Sequence, residues 1–162
     1  MFKKALAFIL AVMMIVSLLP MAAFADTTPV ATVSGVGYAT LADAFANVPD
    51  NGTVTISENT KETAFSITGI DKLAGKTVTI KGAGMDSTFL DWGTGSIGVG
   101  SGAVLYFEDL ALVIDHKGAS MPYTQAMDGI ASESYKNVAI YGAISVMRTA
   151  SFDGCVFKGS TT

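Results

Sequence analysis

One cysteine (Cys155), one histidine (His116) and one arginine (Arg148) are all that this chain carries of those three residue types. A lone cysteine excludes an internal disulfide, so packing must hold the chain, and a disulfide-stapled scaffold is ruled out. A lone histidine excludes metal sites built on two imidazoles and catalytic sets that need separate histidines, and no G-x-S-x-G elbow is present. Basic charge is also scarce, with 10 Lys and Arg against 14 Asp and Glu and a net charge of −4. Without a basic stripe the chain has no electrostatic footprint for nucleic acid. Cys155 is followed by Val156 and Phe157, a context that reads as a small buried apolar residue rather than a reactive thiol.

Long apolar runs are equally rare. Ala5 to Leu19 is the exception, preceded by Lys3 and Lys4 and followed by Pro20 and Ala23-Phe24-Ala25. A charged start, a short apolar core and an Ala-x-Ala end are the marks of a secretory signal over residues 1–25. The run is short of the ~20 residues a spanning helix needs. The expectation is therefore export, to the medium or the cell surface, with no membrane span after cleavage. Removing the two lysines takes the net charge from −4 to −6 over residues 26–162.

What the chain does have is alternation. Lys76 to Trp92 reads as strand, corner, strand: Thr77-Val78-Thr79-Ile80 and Thr88-Phe89-Leu90-Asp91 flank Lys81-Gly82-Ala83-Gly84. Apolar residues at every second position suit a half-buried strand, and the glycines free the backbone for a corner. Before it, Ala31-Thr32-Val33 and Val36-Gly37-Tyr38 bracket a two-residue Ser34-Gly35 turn. The sequence then predicts one helix, capped by Thr40 with Asp43 three residues on. Leu41, Phe45 and Val48 lie on one face, and Pro49 ends it.

An imperfect sextet recurs: aromatic or Gly, any residue, small polar, apolar, small, apolar. Its copies start at Gly75, Phe107, Tyr135 and Phe152, and Thr53-Val54-Thr55-Ile56 opens the series. The first apolar positions are 54, 78, 110, 138 and 155, at intervals of 24, 32, 28 and 17. Such periods mark solenoids whose turns carry loops of different length. The expected inward columns are Val54, Val78, Leu110, Val138 and Cys155, and Ile56, Ile80, Leu112, Ile140 and Phe157. The column between them, Thr55, Thr79, Ala111, Ala139 and Val156, faces out and carries no charge. Asp109 and Asn137 are placed to stack as a polar ladder.

On Tyr38-Ala39-Thr40-Leu41-Ala42-Asp43-Ala44-Phe45, Asp50-Asn51-Gly52-Thr53-Val54-Thr55-Ile56 and Val78-Thr79-Ile80-Lys81-Gly82-Ala83-Gly84, the chain resembles right-handed parallel β-helix proteins of the pectin-lyase-like superfamily. Secreted and surface proteins of Gram-positive bacteria are the nearest in character. The resemblance implies an all-β fold, a right-handed parallel β-helix (solenoid) with a short N-terminal capping helix. Residues 26–52 would supply the first strands and the cap, and 53–162 the coils. The chain stops straight after a strand, which reads as an uncapped coil. The expectation is truncation, or self-association through that open coil.

Enzymes of this superfamily that cut acidic polysaccharides use aspartates as acid and base, or as calcium ligands beside a basic proton acceptor. Here Asp91, Glu108, Asp109, Asp115, Asp128 and Asp153 are scattered over turns and strand ends without a lyase, esterase or hydrolase signature, and read as solvated turn residues. No catalytic residue, metal or cofactor is assigned. Gly93-Thr94-Gly95-Ser96-Ile97-Gly98 matches a dinucleotide pattern, but Val99-Gly100-Ser101-Gly102 leaves no helix to follow it, so it reads as a loop. His116, Lys117 and Tyr123 share a loop able to contact a ligand, although a solvated loop histidine is the commoner case. Trp92 and Tyr141 offer faces to sugar rings if exposed, and Trp92 can equally close a core corner. Two readings follow: a structural or adhesive module toward host or environmental glycans, or the N-terminal part of a polysaccharide lyase or glycoside hydrolase whose catalytic coils lie beyond residue 162.

Overall fold

A computed structural model describes residues 28–92, 102–114, 130–142 and 149–159. The signal segment and the glycine loop at 93–98 lie outside the described residues. Among the described residues ten strands join in one mixed sheet, so the fold is mainly β.

The N-terminal pieces follow from local rules. β1 (Ala31–Val33) and β2 (Val36–Tyr38) form an antiparallel hairpin. Ser34 and Gly35 carry φ of 50° and 81°, the left-handed pair that a two-residue turn requires. The helix α1 (Leu41–Asn47) is capped as the sequence predicts. The Thr40 hydroxyl accepts from the Asp43 amide at 3.1 Å and donates to the Asp43 carboxylate at 2.6 Å. Val48 is already extended ahead of Pro49, where a proline forbids further helix. Leu41, Phe45 and Val48 are buried in the main core, and the Lys76 ammonium donates to the Val48 carbonyl just past the helix end.

The remaining strands run parallel. β3 (Gly52–Ile56), β5 (Thr77–Lys81), β7 (Ala103–Val113) and β8 (Ile130–Tyr141) lie side by side, and β9 (Ala150–Asp153) joins β8. A second series comprises β4 (Phe65–Ser66), β6 (Phe89–Asp91), the second halves of β7 and β8, and β10 (Val156–Lys158). A short 3-10 helix, Ile70–Leu73, links β4 to β5. β7 and β8 thus serve both series. The switch is a single residue in left-handed conformation, Asp109 (φ 53°) and Asn137 (φ 52°), matched by Gly154 (φ 62°) between β9 and β10. Between β5 and β6 the same corner takes residues 82–88. Gly82 is obligatory there, because a Cβ would stand 2.5 Å from the Asp109 carbonyl oxygen and 2.7 Å from the Thr88 Cβ.

The pairing corrects the expected columns for the early copies. Val54 faces Ile80, Ile80 faces Phe107, Phe107 faces Tyr135 and Tyr135 faces Phe152, at intervals of 26, 27, 28 and 17 residues. Val78 belongs with Leu105, not with Leu110. In the later copies the register is the expected one: Leu110 pairs with Val138, and Leu112, Ile140 and Phe157 form one row, but Phe157, expected inward, is 58% exposed on the last strand. Ile80, Phe107, Leu110, Leu112, Val138 and Ile140 are fully buried, each contributing about 1.5–3 kcal/mol. Phe107, Tyr135 and Phe152 stack face to face, with centroids 5.2 and 5.0 Å apart and planes within 9° and 6°. Stacking of this kind adds about 0.5–1.5 kcal/mol per pair beyond burial. Cys155 is half-buried against this core and its thiol donates to the Tyr135 carbonyl at 3.3 Å.

The column expected to face solvent between the two inward columns also changes. Ala111 and Ala139 share a row with Phe89 and Val156, and form a second small core with Val113 against Ala64 and Met85. Asn59 fastens the covering segment. Its side-chain oxygen accepts from the Phe89 amide at 2.6 Å and its NH2 donates to the Phe89 carbonyl at 2.9 Å, so one side chain imitates a strand neighbour. Alanine is what fits beneath that cover.

Candidate functional site

Strand alternation puts one residue in two of β3, β5, β7, β8 and β9 on the side away from the core. Three rows result. Thr53, Thr79, Tyr106, Ser134 and Ser151 are register partners in succession. Each carries a hydroxyl, and Ser151 donates to Ser134 at 2.8 Å. On one flank lie Thr77, Val104 and Ser132. On the other lie Thr55, Lys81, Glu108, Lys136 and Asp153, alternating in charge from Lys81 onward. The expectation of an uncharged outward column fails here, because it merged residues from three different rows: Thr55 from the charged row, Thr79 from the hydroxyl row, and Ala111, Ala139 and Val156 from the row of Phe89.

Tyr106 stands at the middle of the hydroxyl row and is 40% exposed. Among the described residues no ring or cation packs on it. A phenol exposed on a sheet between hydroxyl-bearing neighbours offers a flat apolar face with polar groups at its margins, the combination that receives a sugar ring.

The charged row is tied together at Lys81 and Glu108, with the corner residue Asp109 beside them. Lys81 lies 3.6 Å from Glu108 and 3.3 Å from Asp109, and the Asn137 amide donates to Asp109 at 3.1 Å. The Asn137 hydrogen bond, with Lys81 behind it, holds the Asp109 carboxyl below its ordinary range. Asp109 in turn raises the Lys81 ammonium. A carboxyl so held stays ionised and cannot donate a proton to a leaving group near neutral pH. Glu133 behaves oppositely: burial raises its carboxyl, with the hydrogen bond from Tyr135 working against the rise. It shares the row of buried Leu105 and accepts from the Tyr135 hydroxyl, so it serves the interior rather than this face. Burial likewise pushes the Tyr135 phenol up.

Of the residues singled out from sequence, Trp92 is only 4% exposed and tilts against Phe107 at 5.9 Å. It closes the core corner and has no face for a ligand, so its place as a sugar contact is withdrawn. Tyr141 sits on the other series of strands, half-buried. The ammonium groups of Lys61 and Lys158 stand 4.8 and 4.9 Å from its ring centroid, and Lys158 donates to its hydroxyl at 2.9 Å. The hydrogen bond to Tyr141 raises Lys158, with Asp86 contributing from 3.7 Å. His116, Lys117 and Tyr123 lie outside the described residues, as do Asp115 and Asp128. Nothing brings Trp92 and Tyr141 together into one site.

Tyr106 was missed because the sextet begins at Phe107. The signal was there: in Ala103-Val104-Leu105-Tyr106-Phe107 the apolar residues at 103, 105 and 107 point one way, which leaves Tyr106 pointing the other.

Among the described residues no group of three His, Cys, Asp or Glu is placed to hold a metal ion, and no helix is long and apolar enough to cross a membrane. Comparison with family models, curated proteins and solved structures finds no match to this chain.

Proposed function

We propose that the parallel strands are successive turns of a right-handed β-helix of the pectin-lyase-like kind, in a secreted or cell-surface protein, and that the module is structural and adhesive, binding glycans. The repeat of the aromatic column, the single-residue corners and the helix over the first strands support the β-helix. The observation that carries the binding role is the exposed Tyr106 at the centre of a row in which every residue carries a hydroxyl. On that face Glu108 and Asp109 are tied to Lys81, and Asp109 also to the Asn137 amide, which favours adhesion over a catalytic part in polysaccharide cleavage. Phe152, Val156 and Phe157 are exposed on the last strands, which supports self-association along that edge.

The test is retention of the chain on immobilised polysaccharides, with Tyr106→Ala as the control. Retention that depends on Tyr106 is the expected result; retention indifferent to Tyr106 contradicts it.

A further inference from the structure

The hydroxyl row is one residue wide and five strands long. Its four inter-strand steps of about 4.8 Å make it roughly 19 Å from Thr53 to Ser151. A chain of pyranose rings laid along that row, across the strands, meets a protein hydroxyl at every step and a phenol face at the centre. A chain laid along a strand instead leaves the row after one residue.

Charge decides the kind of glycan. Lys81 and Lys136 are set against Glu108, Asp109 and Asp153, an excess of one negative charge. Lys81 is already engaged by Glu108 and Asp109, and Lys136 lies in register between Glu108 and Asp153. Among the described residues of this face, a polyanion would meet carboxylates beside every lysine, with no cluster of cations to neutralise it. Sugar hydroxyls fare differently, because carboxylates accept from them and ammonium groups donate to them. The two lysines about Tyr141, Lys61 between β3 and β4 and Lys158 on β10, gather at the other series of strands and do not extend this face.

We propose that the Tyr106 face binds neutral, linear glycan chains laid across the strands, and rejects uronate-bearing and sulfated ones. This rests on the glycan-binding reading above and adds the ligand class.

The experiment is affinity electrophoresis of the full chain in gels containing one soluble polysaccharide each: glucomannan and mixed-linkage β-glucan as neutral, linear probes, polygalacturonate, alginate and heparin as acidic ones. Retardation by a neutral probe and none by the acidic probes is expected. Tyr106→Ala should weaken that binding about tenfold, with its unfolding midpoint unchanged, and Tyr106→Phe should keep most of it. Tyr106-dependent retardation by acidic probes overturns the neutral-ligand inference while leaving glycan binding intact. No retardation by any probe overturns both.

Discussion

The Asn137 side-chain NH2 donates to the Asp109 carboxylate across 3.1 Å, and both residues sit at the same corner of neighbouring strands with φ near 50°. One column therefore does two things: it turns the chain with short polar residues that tolerate the left-handed region, and it bonds one corner to the next.

That pairing predicts an order of stabilities. Asn137→Ala loses the amide and places a Cβ-bearing residue without compensation at positive φ, a cost of about 1–3 kcal/mol. Asn137→Gly should cost less, because glycine relieves the backbone. In the next corner Gly154→Ala should be severe, since its Cβ would stand 2.6 Å from the Asn137 side-chain oxygen at φ 62°. Urea unfolding of the three variants checks the order; Asn137→Ala unfolding with the parent would contradict it.

Glu133 predicts a pH dependence. Burial raises its carboxyl above the ordinary value of 4.5, so the folded state holds the proton more tightly than the unfolded chain. Stability on this account is full below the unfolded pKa and falls as pH climbs toward the folded one. Glu133→Gln, whose amide oxygen still accepts from Tyr135, should be more stable than the parent at neutral pH, with the difference vanishing below about pH 4. Denaturant midpoints across that range test the sign. A glutamine variant less stable at neutral pH would refute it.

Asn59 predicts a local opening. Asn59→Ala removes both side-chain bonds to Phe89, so proteolysis within residues 57–64 should accelerate before global unfolding does. Uncovered Ala111 and Ala139 would then bind a hydrophobic dye. Equal cleavage rates in parent and variant would count against this anchoring role.

Trp92 and Tyr106 should part company. Trp92→Ala empties a buried position and should cost about 3–5 kcal/mol, whereas Tyr106→Ala at the surface should lie within about 0.5 kcal/mol of the parent. Thermal midpoints distinguish them, and comparable losses would mean that Tyr106 is packed rather than presented.

Much of this was legible in the residues. The Ser34-Gly35 hairpin, the Thr40 cap, the strands around Gly82 and the Asp109–Asn137 ladder all follow from short-range chemistry. So do the last three copies of the sextet, where one residue makes each corner and spacing carries directly into register. The first copies misled because residues 82–88 replace that single residue, so aligning Val78 with Leu110 skipped a corner. Burial of Ala111 and Ala139 was also hidden, since it depends on Asn59 reaching a strand 30 residues away.

The register itself is the most direct thing to measure, because it alone puts Tyr106 in the hydroxyl row. Nuclear Overhauser contacts among side chains read it. The structure predicts contacts from the Tyr106 ring to the β protons of Thr79 and Ser134, and from the Tyr135 ring to both Phe107 and Phe152. Contacts joining Thr79 to Ala111 in their place would restore the alignment of Val78 with Leu110, break the row and contradict the account.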